Sequence, residues 1–352
     1  MSAYGWPARR KTITSDMFRI VYLTEDSGCR AEVEGFLRQW DSDEAHIAAH
    51  TSGSTGAPKE IRLPKSDILV SARATNRRFG INSGSRLLCP LSANYIAGKM
   101  MIARAIAADC EVAFCRPSNR FLQSQDTTGY LAGGVDLLPI VPSQCLSLLE
   151  SLKSYPSAIR NVIIGGAALP HDAEEALLAA RQPGMGIFAT YGMTETCSHV
   201  ALRGLGEEHF TAMPGVSFSL DNRDCLRITA PGYSFTVLQT NDIARLVNDS
   251  GFIWRGRFDN VINTGGIKIF PEETERKLRG KLPCRFYLKG VADPKWGEAV
   301  TLVIEDAPTS PRVSDESIME ICRVRLSPFE QPKSIIRVET LPVTSTGKLR
   351  RV

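Results

Sequence analysis

The sequence predicts an α/β protein with a large N-terminal domain, made of α/β sublobes and a β-rich lobe, and a small α+β C-terminal domain. Strand and helix signals alternate over residues 86–190, which is typical of largely parallel strands covered by helices. Short strand-like segments with frequent turns occupy residues 215–257 and indicate the β-rich lobe. A βαβ-like segment of ordinary domain size follows. We therefore expect domains at residues 1–257 and 258–352.

The individual elements are read from apolar periodicity and from turn residues. Ser66 is the expected N-cap of the helix that Gly80 ends. The predicted helices are residues 31–40, 66–79, 97–107, 142–154 and 171–181. The predicted strands are residues 18–23, 47–50, 86–91, 111–115, 161–165, 186–191, 226–229, 234–238 and 252–254.

Composition excludes several classes of protein. Apolar residues make up 43% and charged residues 23%, so the chain can bury a globular core without disulfides or a structural metal. The net charge of +4 comes from evenly spread Lys and Arg, which argues against a nucleic-acid binder and suits small polyanionic substrates. No signal-peptide pattern and no run of 18 apolar residues occur, so we expect a cytoplasmic protein without a membrane span.

The nine cysteines include no C-x-x-C pair, which is typical of free thiols in a reducing compartment. Cys145 and Cys197 lie in apolar or motif-rich stretches. We expect both to be packing residues and not nucleophiles.

The loop Thr51–Lys59 (TSGSTGAPK) is the first candidate site. Glycines let a backbone turn tightly and present N–H groups to phosphate oxygens, while Ser and Thr hydroxyls and Lys59 add donors and charge. Ala57 and Pro58 separate the last glycine from Lys59, so this is not a Walker A loop. The alternative is an ordinary surface loop.

Two carboxylates are candidates for the same chemistry. Glu195, in Tyr191–Thr196 (YGMTET), follows a predicted strand and is either a Mg²⁺ ligand or a solvated turn residue. Asp242, in Thr240–Asp242 (TND), either accepts from ribose hydroxyls together with Arg257 or is a turn residue.

The C-terminal segment carries three further features. Gly265 and Gly266 join two β-rich stretches and suggest a hairpin that approaches another group closely. Asp259 precedes them as a candidate hinge residue. Lys348, in the tail 342–348 (PVTSTGK), is either a solubilising charge or a cation that swings into a cleft to stabilise negative charge.

In this order, and with Gly165–Pro170 (GGAALP) between the first two, these motifs resemble those of the adenylate-forming superfamily of acyl-CoA synthetases, peptide-synthetase adenylation domains and luciferases. The resemblance spans residues 51–348. It implies that a carboxylic acid is activated with ATP and Mg²⁺ to an acyl-adenylate, and that the acyl group is then transferred to a thiol such as that of coenzyme A. It also implies a large adenylate-forming domain followed by a mobile C-terminal domain.

The resemblance implies a role for each motif residue. The β- and γ-phosphates would be bound by Thr51, Ser52, Gly53, Ser54, Thr55, Gly56 and Lys59. The adenine side of the ATP site would be formed by Gly166, Ala167, Tyr191 and Gly192. Thr194 would contact the α-phosphate, Glu195 would hold Mg²⁺, and Asp242 and Arg257 would bind the ribose. Asp259 would be the hinge, Gly265 and Gly266 would line the thiol tunnel, and Lys348 would bridge the carboxylate and the α-phosphate. Lys59, Thr194, Glu195 and Lys348 would be the catalytic group.

The stretch Cys89–Met101 resembles the family's acyl-pocket segment, Pro-Leu-x-His-x-x-Gly, and implies an acyl pocket at Tyr95, Gly98 and Lys99. This sequence departs from the family pattern at three positions: Tyr95 stands near the usual His, Asn241 replaces a Gly, and Asn260 replaces an Asp. Only about 50 residues precede the phosphate loop, so we expect an abbreviated N-terminal sublobe.

Among the compact members, the chain is most similar to o-succinylbenzoate–CoA ligases of menaquinone biosynthesis. That substrate has two carboxylates, and the one that is not activated would be received by Lys99, Arg104 or a nearby Ser or Thr. Lys99 is otherwise a helix-surface charge. Three alternatives stay open: a ligase for another aryl or short acid, an enzyme that loads a carrier protein, and a non-catalytic nucleotide-binding module. The expected partners are small molecules, and a homodimer is compatible with the sequence.

Overall fold

The computed structural model describes residues 12–14, 18–50, 60–306, 313–343 and 349–351. Contacts between Cα atoms divide the chain into two compact units. The first comprises residues 1–207, 213–215 and 232–234, and the second comprises residues 208–212, 216–231 and 235–352. The predicted domain boundary between residues 257 and 258 stays a prediction.

The described part of the first unit is a mixed α/β structure. Its strands are β1 (Thr12–Thr14), β2 (Arg19–Tyr22), β3 (His46–His50), β4 (Glu60–Pro64), β5 (Arg86–Cys89), β6 (Glu111–Phe114), β7 (Leu138–Ile140), β8 (Asn161–Ile164), β9 (Gly186–Gly192) and β10 (His199–Gly204). Its helices are α1 (Ser27–Asp41), α2 (Lys65–Phe79), α3 (Ile96–Ala108), α4 (Gln125–Ala132), α5 (Cys145–Ser154) and α6 (His171–Ala180).

The largely parallel arrangement predicted for this region is confirmed. One sheet has the order β1-β2-β6-β5, with β2 and β5 both parallel to β6. In another, β7, β8 and β9 are parallel neighbours, and β10 returns antiparallel to β9. Apolar residues between these strands and α4, α5 and α6 form a continuous core, because each strand is buried by helices.

Helix ends follow their local chemistry. Asp26 is the N-cap of α1, and its carboxylate accepts from the backbone N–H groups of Gly28 and Cys29. α2 ends as predicted at Gly80, which has a φ of 66° in the left-handed region. The expected N-cap at Ser66 is wrong: α2 begins one residue earlier, after Pro64, and the Ser66 hydroxyl instead donates to Asp67.

The second unit contains two described groups of strands. The first is antiparallel and consists of β11 (Phe210–Ala212), β12 (Ser217–Leu220), β13 (Cys225–Thr229), β14 (Val237–Asn248) and β15 (Gly251–Arg257). The second contains β16 (Ile262–Thr264), β17 (Ile267–Ile269), β18 (Phe286–Asp293), β19 (Gly297–Glu305) and β20 (Ser334–Val338), with helices α7 (Pro271–Leu278) and α8 (Asp315–Arg325). β19, α8 and β20 form the expected βαβ unit, since β20 is parallel to β19.

A separate apolar core lies between the second group of strands and its two helices. Within the described residues of the whole chain, no helix has both the length and the apolar character needed to cross a membrane.

Candidate functional site

Two parallel strands end side by side where the adenine-side residues are predicted. Ile164 of β8 lies opposite Ala189 of β9. After β8, Gly166 has a φ of +85°, which favours glycine. A Cβ added at Gly165 would lie 2.5 Å from Thr190 Oγ1. The glycine pair thus lets the chain turn tightly at the carboxyl ends of parallel strands, where α/β sheets bind their ligands.

β9 runs into a short 3₁₀ turn formed by Thr194–Thr196. Gly192 is required before the turn, because a Cβ there would lie 2.3 Å from the Ser198 carbonyl oxygen. The Thr196 hydroxyl donates to that same carbonyl over 2.7 Å and closes the turn. Glu195 is left exposed at the tip. The adenine contacts assigned to Gly166, Ala167, Tyr191 and Gly192 stay predictions.

The donor chemistry of this edge fits a magnesium ion. Glu195 offers an exposed carboxylate, and Mg²⁺ prefers one or two carboxylates supplemented by phosphate oxygens and water. No cluster of three or more His, Cys, Asp or Glu side chains suited to a metal occurs among the residues that the structure describes. The role of Glu195 as the magnesium ligand stays a prediction.

The predicted phosphate loop joins β3 to β4, which pair antiparallel with His50 opposite Glu60. β4 packs beside the Thr194–Thr196 turn, so the chain that leaves the loop runs next to the candidate metal ligand. The predicted site residues that lie outside the described part are Thr51, Ser52, Gly53, Ser54, Thr55, Gly56, Lys59 and Lys348.

In the second unit, the two predicted ribose-binding residues are neighbours. Asp242 of β14 lies opposite Arg257 of β15, and 3.7 Å separates Asp242 Oδ1 from Arg257 Nη1. Trp254 Nε1 also donates to Asp242 Oδ1, over 3.2 Å. The carboxylate is buried, so these partners fix its orientation. Trp254 was not among the predicted site residues.

Asp259 lies in a 3₁₀ turn directly after β15. Its carboxylate accepts from Arg257 Nη2 over 3.0 Å and from Asn241 Nδ2 over 3.3 Å. Asn260 Nδ2 donates to Glu272 Oε1 of α7 over 2.5 Å. The two asparagines that depart from the family pattern therefore both donate to carboxylates around the predicted hinge. The hinge role of Asp259 stays a prediction.

The Gly265–Gly266 pair forms the tight connection between β16 and β17, with φ values of +59° and +81°. The Gly265 N–H donates to the Trp296 carbonyl over 2.8 Å, and a Cβ at Gly265 would touch the indole ring at 3.0 Å. The close approach predicted for this pair is confirmed, with Trp296 as the neighbour. Its role in a thiol tunnel stays a prediction.

The predicted acyl-pocket residues surround the start of α3. Tyr95 precedes the helix and is 48% exposed. Gly98 is needed because a Cβ there would lie 2.3 Å from the Ser92 carbonyl oxygen, so the preceding turn could not pack onto the helix.

Lys99 is buried, so its interpretation as a helix-surface charge is wrong. Its ammonium lies 5.7 Å from the centroid of the Phe36 ring. Burial lowers the pKa of Lys99 from its usual value, and the Glu32 carboxylate opposes that shift. Lys99 therefore packs toward α1, on a different side of α3 from Arg104.

Arg104 is 2% exposed and lies in a cluster of polar side chains. Its Nη2 donates to Ser198 Oγ over 2.8 Å, and its Nη1 lies 3.2 Å from Met101 Sδ. Nε is buried, and among the described residues it has no hydrogen-bond partner and no carboxylate pairs with the guanidinium. Burial lowers the pKa of Arg104 to about 10. His199 is also buried beside Ser198, and burial followed by the Arg104 charge holds the pKa of His199 well below its usual value.

The prediction for the two cysteines is confirmed. Cys145 and Cys197 are buried, and burial raises their thiol pKa values to about 11 and about 12. Both thiols stay protonated at neutral pH and are poor nucleophiles.

A family model described as "AMP-binding enzyme" matches residues 11–225. A 2-succinylbenzoate–CoA ligase of Enterococcus faecalis is 26% identical over 353 residues, which cover 89% of this chain and 70% of that protein. The 2-succinylbenzoate–CoA ligase of Bacillus subtilis is 25% identical and is matched over 72% of its length.

Solved structures agree with these matches. A protein of Dyadobacter fermentans, described as similar to AMP-forming acyl-CoA synthetases and AMP-acid ligases, is 30% identical, and 93% of each chain is covered with a TM-score of 0.60. An o-succinylbenzoate–CoA synthetase of Bacillus subtilis, solved with ATP and a magnesium ion, has a TM-score of 0.73 over 86% of this chain and 68% of that chain. At 22% identity, this second likeness concerns the fold alone.

Proposed function

We propose that this chain, which belongs to the AMP-binding enzyme family of adenylate-forming ligases, activates o-succinylbenzoate with ATP and transfers the acyl group to coenzyme A. The family membership follows from a match over more than half of the chain. The acid, the thiol and the cofactors ATP and Mg²⁺ are part of the proposal and are supported by the names of the relatives. We extend the proposal to a cytoplasmic location, where both ATP and coenzyme A are available.

The buried Arg104 guanidinium is the observation that supports o-succinylbenzoate as the acid substrate. A buried cation without a counter-ion is unfavourable, because it loses hydration and gains no charge partner. Arg104 follows the predicted acyl-pocket residues on α3, and its Nε has no hydrogen-bond partner within the described part of the chain. An acid with a second carboxylate would supply the missing anion. Of the receptors considered from the sequence, Arg104 fits this role better than Lys99, which packs against Phe36.

The reaction joins a carboxylate oxygen of the acid to the α-phosphorus of ATP and breaks the bond to pyrophosphate. Both reactants are anions, so the protein's contribution is charge neutralisation and alignment. The phosphate-loop donors and Lys59 would hold the β- and γ-phosphates, and Lys348 would lie between the carboxylate and the α-phosphate. A magnesium ion held by Glu195 would supply further charge neutralisation at the phosphates.

In the second step, the thiol sulfur of coenzyme A forms a bond to the acyl carbon, the bond to the phosphate oxygen breaks, and AMP leaves with the electron pair. The thiol proton passes to solvent. The ribose of the nucleotide would be bound throughout by Asp242, which Trp254 and Arg257 hold in place.

The test is pyrophosphate release with ATP and Mg²⁺, with and without coenzyme A. The decisive pair of acids is o-succinylbenzoate and 4-oxo-4-phenylbutanoate, which differ only in the ring carboxylate. We expect release with the first acid at much lower concentration than with the second, and a coenzyme A thioester when the thiol is added.

Other outcomes separate the alternatives. Equal use of both acids would remove the second carboxylate from recognition and favour a ligase for another acid. Release without coenzyme A thioester formation, but with acylation of a phosphopantetheinyl carrier protein, would favour the carrier-loading enzyme. No release with any acid would favour a non-catalytic nucleotide-binding module.

A further inference from the structure

A chain of hydrogen bonds connects Arg104 to the interior of α2. Arg104 Nη2 donates to Ser198 Oγ over 2.8 Å. Ser198 Oγ lies 3.3 Å from His199 Nδ1, and His199 Nε2 lies 3.3 Å from Thr75 Oγ1. Thr75 is fully buried and His199 is 6% exposed, so water does not compete for these bonds.

The direction of each bond follows from the last hydroxyl in the chain. Thr75 Oγ1 donates to the Ser71 carbonyl over 3.1 Å, so its oxygen is left to accept. His199 Nε2 therefore carries the proton, and Nδ1 accepts from the Ser198 hydroxyl. The Ser198 oxygen then presents a lone pair to Arg104. Only in this arrangement does each of the three side-chain contacts pair one donor with one acceptor.

A neutral imidazole is essential to this pattern. A protonated Nδ1 would donate toward Ser198 and turn the Ser198 hydroxyl hydrogen toward the guanidinium, which has only donors. Burial and the Arg104 charge both disfavour the imidazolium. A second contact fixes the backbone, since Asn76 Nδ2 of α2 donates to the Arg104 carbonyl over 2.9 Å.

We propose that Thr75 and His199 are positioning residues for the acid substrate: they fix the Ser198 hydroxyl so that Arg104 keeps a single orientation toward the second carboxylate. This proposal rests on the proposed function. Thr75 reaches the acid only through three intervening side chains, so its effect is separable from direct contact.

The experiment compares Thr75→Val, which removes the acceptor, with Thr75→Ser, which keeps it. We expect Thr75→Val to raise the KM for o-succinylbenzoate about tenfold, the effect of losing one buried hydrogen bond from the aligned chain. The KM for ATP and the activity with 4-oxo-4-phenylbutanoate should not change, and Thr75→Ser should restore the wild-type KM. Thr127→Val is the matched control, because Thr127 is equally buried in the first unit and lies outside the hydrogen-bond chain.

An unchanged KM for o-succinylbenzoate in Thr75→Val, with wild-type enzyme active on that acid, would overturn the proposal and leave the proposed function intact. A second measurement is independent of the acid. In wild-type protein labelled with ¹⁵N-histidine, the imidazole shifts of His199 should show the neutral form with the proton on Nε2. A charged imidazole or a proton on Nδ1 would overturn the proposal even if the Thr75 variants fail to fold.

Discussion

Trp254 Nε1 donates a hydrogen bond to Asp242 Oδ1 across neighbouring strands, over 3.2 Å. The two residues lie on β15 and β14, where Ala244 is the direct partner of Trp254. Asp242 is buried, and Arg257 approaches the same oxygen. The indole therefore fixes the rotation of the carboxylate that the sequence assigns to the ribose.

Removing this donor should weaken nucleotide binding. Trp254→Phe keeps most of the packing and loses the N–H, so we expect the KM for ATP to rise about fivefold with little change in kcat. Asp242→Asn, which alters the proposed ribose acceptor itself, should raise the KM for ATP more. Pyrophosphate release at varied ATP measures both. If Trp254→Phe has a wild-type KM for ATP, the indole only packs against its neighbours.

A buried charge that is kept for substrate binding should lower the stability of the folded protein. Substitutions of Arg104 test this expectation. We expect Arg104→Met to raise the KM for o-succinylbenzoate about a hundredfold, because the second carboxylate loses a desolvated partner. The free energy of unfolding should stay the same or rise, because the variant removes a buried cation that no carboxylate of the described residues pairs with. Arg104→Lys keeps the charge but loses the planar donors. Its KM for o-succinylbenzoate should lie between those of wild type and Arg104→Met. Denaturant unfolding supplies the second measurement; a large loss of stability in Arg104→Met would indicate a structural role.

The sequence predicted the elements whose signals are local. The parallel strands β5, β6, β8 and β9 are short apolar runs bounded by turn residues, and Gly80 marks the end of α2. β10 was missed, because His199 and Arg203 interrupt its apolar pattern although the strand is largely buried. α4 was missed because its sequence, QDTTGYLA, has little apolar periodicity.

The same distinction between local and long-range signals applies to the residues of the candidate site. Motif residues could be assigned because each motif is contiguous in the sequence. The cluster around Arg104 could not, since Arg104 and Ser198 are 94 positions apart and a buried polar side chain looks the same in sequence as an exposed one. Only the position of Ser198, two residues after the Tyr191–Thr196 motif, could have drawn attention to it.

Lys348 should matter for one half-reaction only. The chain on either side of it is paired: Arg350 N–H donates to the Pro342 carbonyl over 2.8 Å, and Val343 pairs with Leu349. We expect Lys348→Ala to abolish acyl-adenylate formation, since the charge proposed between the two anions is lost. Thioester formation from supplied acyl-adenylate should be largely spared. Equal loss of both half-reactions would contradict a role confined to adenylation.

Asp259→Pro tests the predicted hinge. Proline restricts φ, so we expect thioester formation to fall more than acyl-adenylate formation. The substitution also removes the carboxylate that accepts from Arg257 and Asn241. Asp259→Ala controls for that loss, because it removes the carboxylate without restricting φ. The two half-reactions are measured separately in each variant. Thioester formation at the wild-type rate in Asp259→Pro would remove this residue as the hinge.

Neutralising either of two carboxylates on α7 should change the free energy of unfolding, with opposite signs for Glu272 and Glu275. Glu272 Oε2 is buried and has no hydrogen-bond partner in the described structure, and a Cβ at Gly256 would lie 2.3 Å from it. Burial raises the pKa of Glu272, although Arg351 opposes the shift. Glu275 instead forms a two-point ion pair with Arg351, at 2.5 Å and 2.9 Å.

Because the folded pKa of Glu272 exceeds that of the unfolded chain, its contribution to stability is fully present below the unfolded pKa and is lost as pH rises through the folded pKa. Glu272→Gln should remove that loss. The free energy of unfolding of the variant relative to wild type should therefore increase as pH rises from the ordinary Glu pKa, about 4, through the higher folded pKa of Glu272. Glu275→Gln should instead lower the free energy of unfolding by about 3 kcal/mol at neutral pH, since Arg351 loses its two-point ion pair. Denaturant unfolding at several pH values measures both. Parallel pH curves for wild type and Glu272→Gln would mean that Glu272 is ionised in the folded protein with no penalty, and that Arg351 and Asn260 compensate fully for its burial.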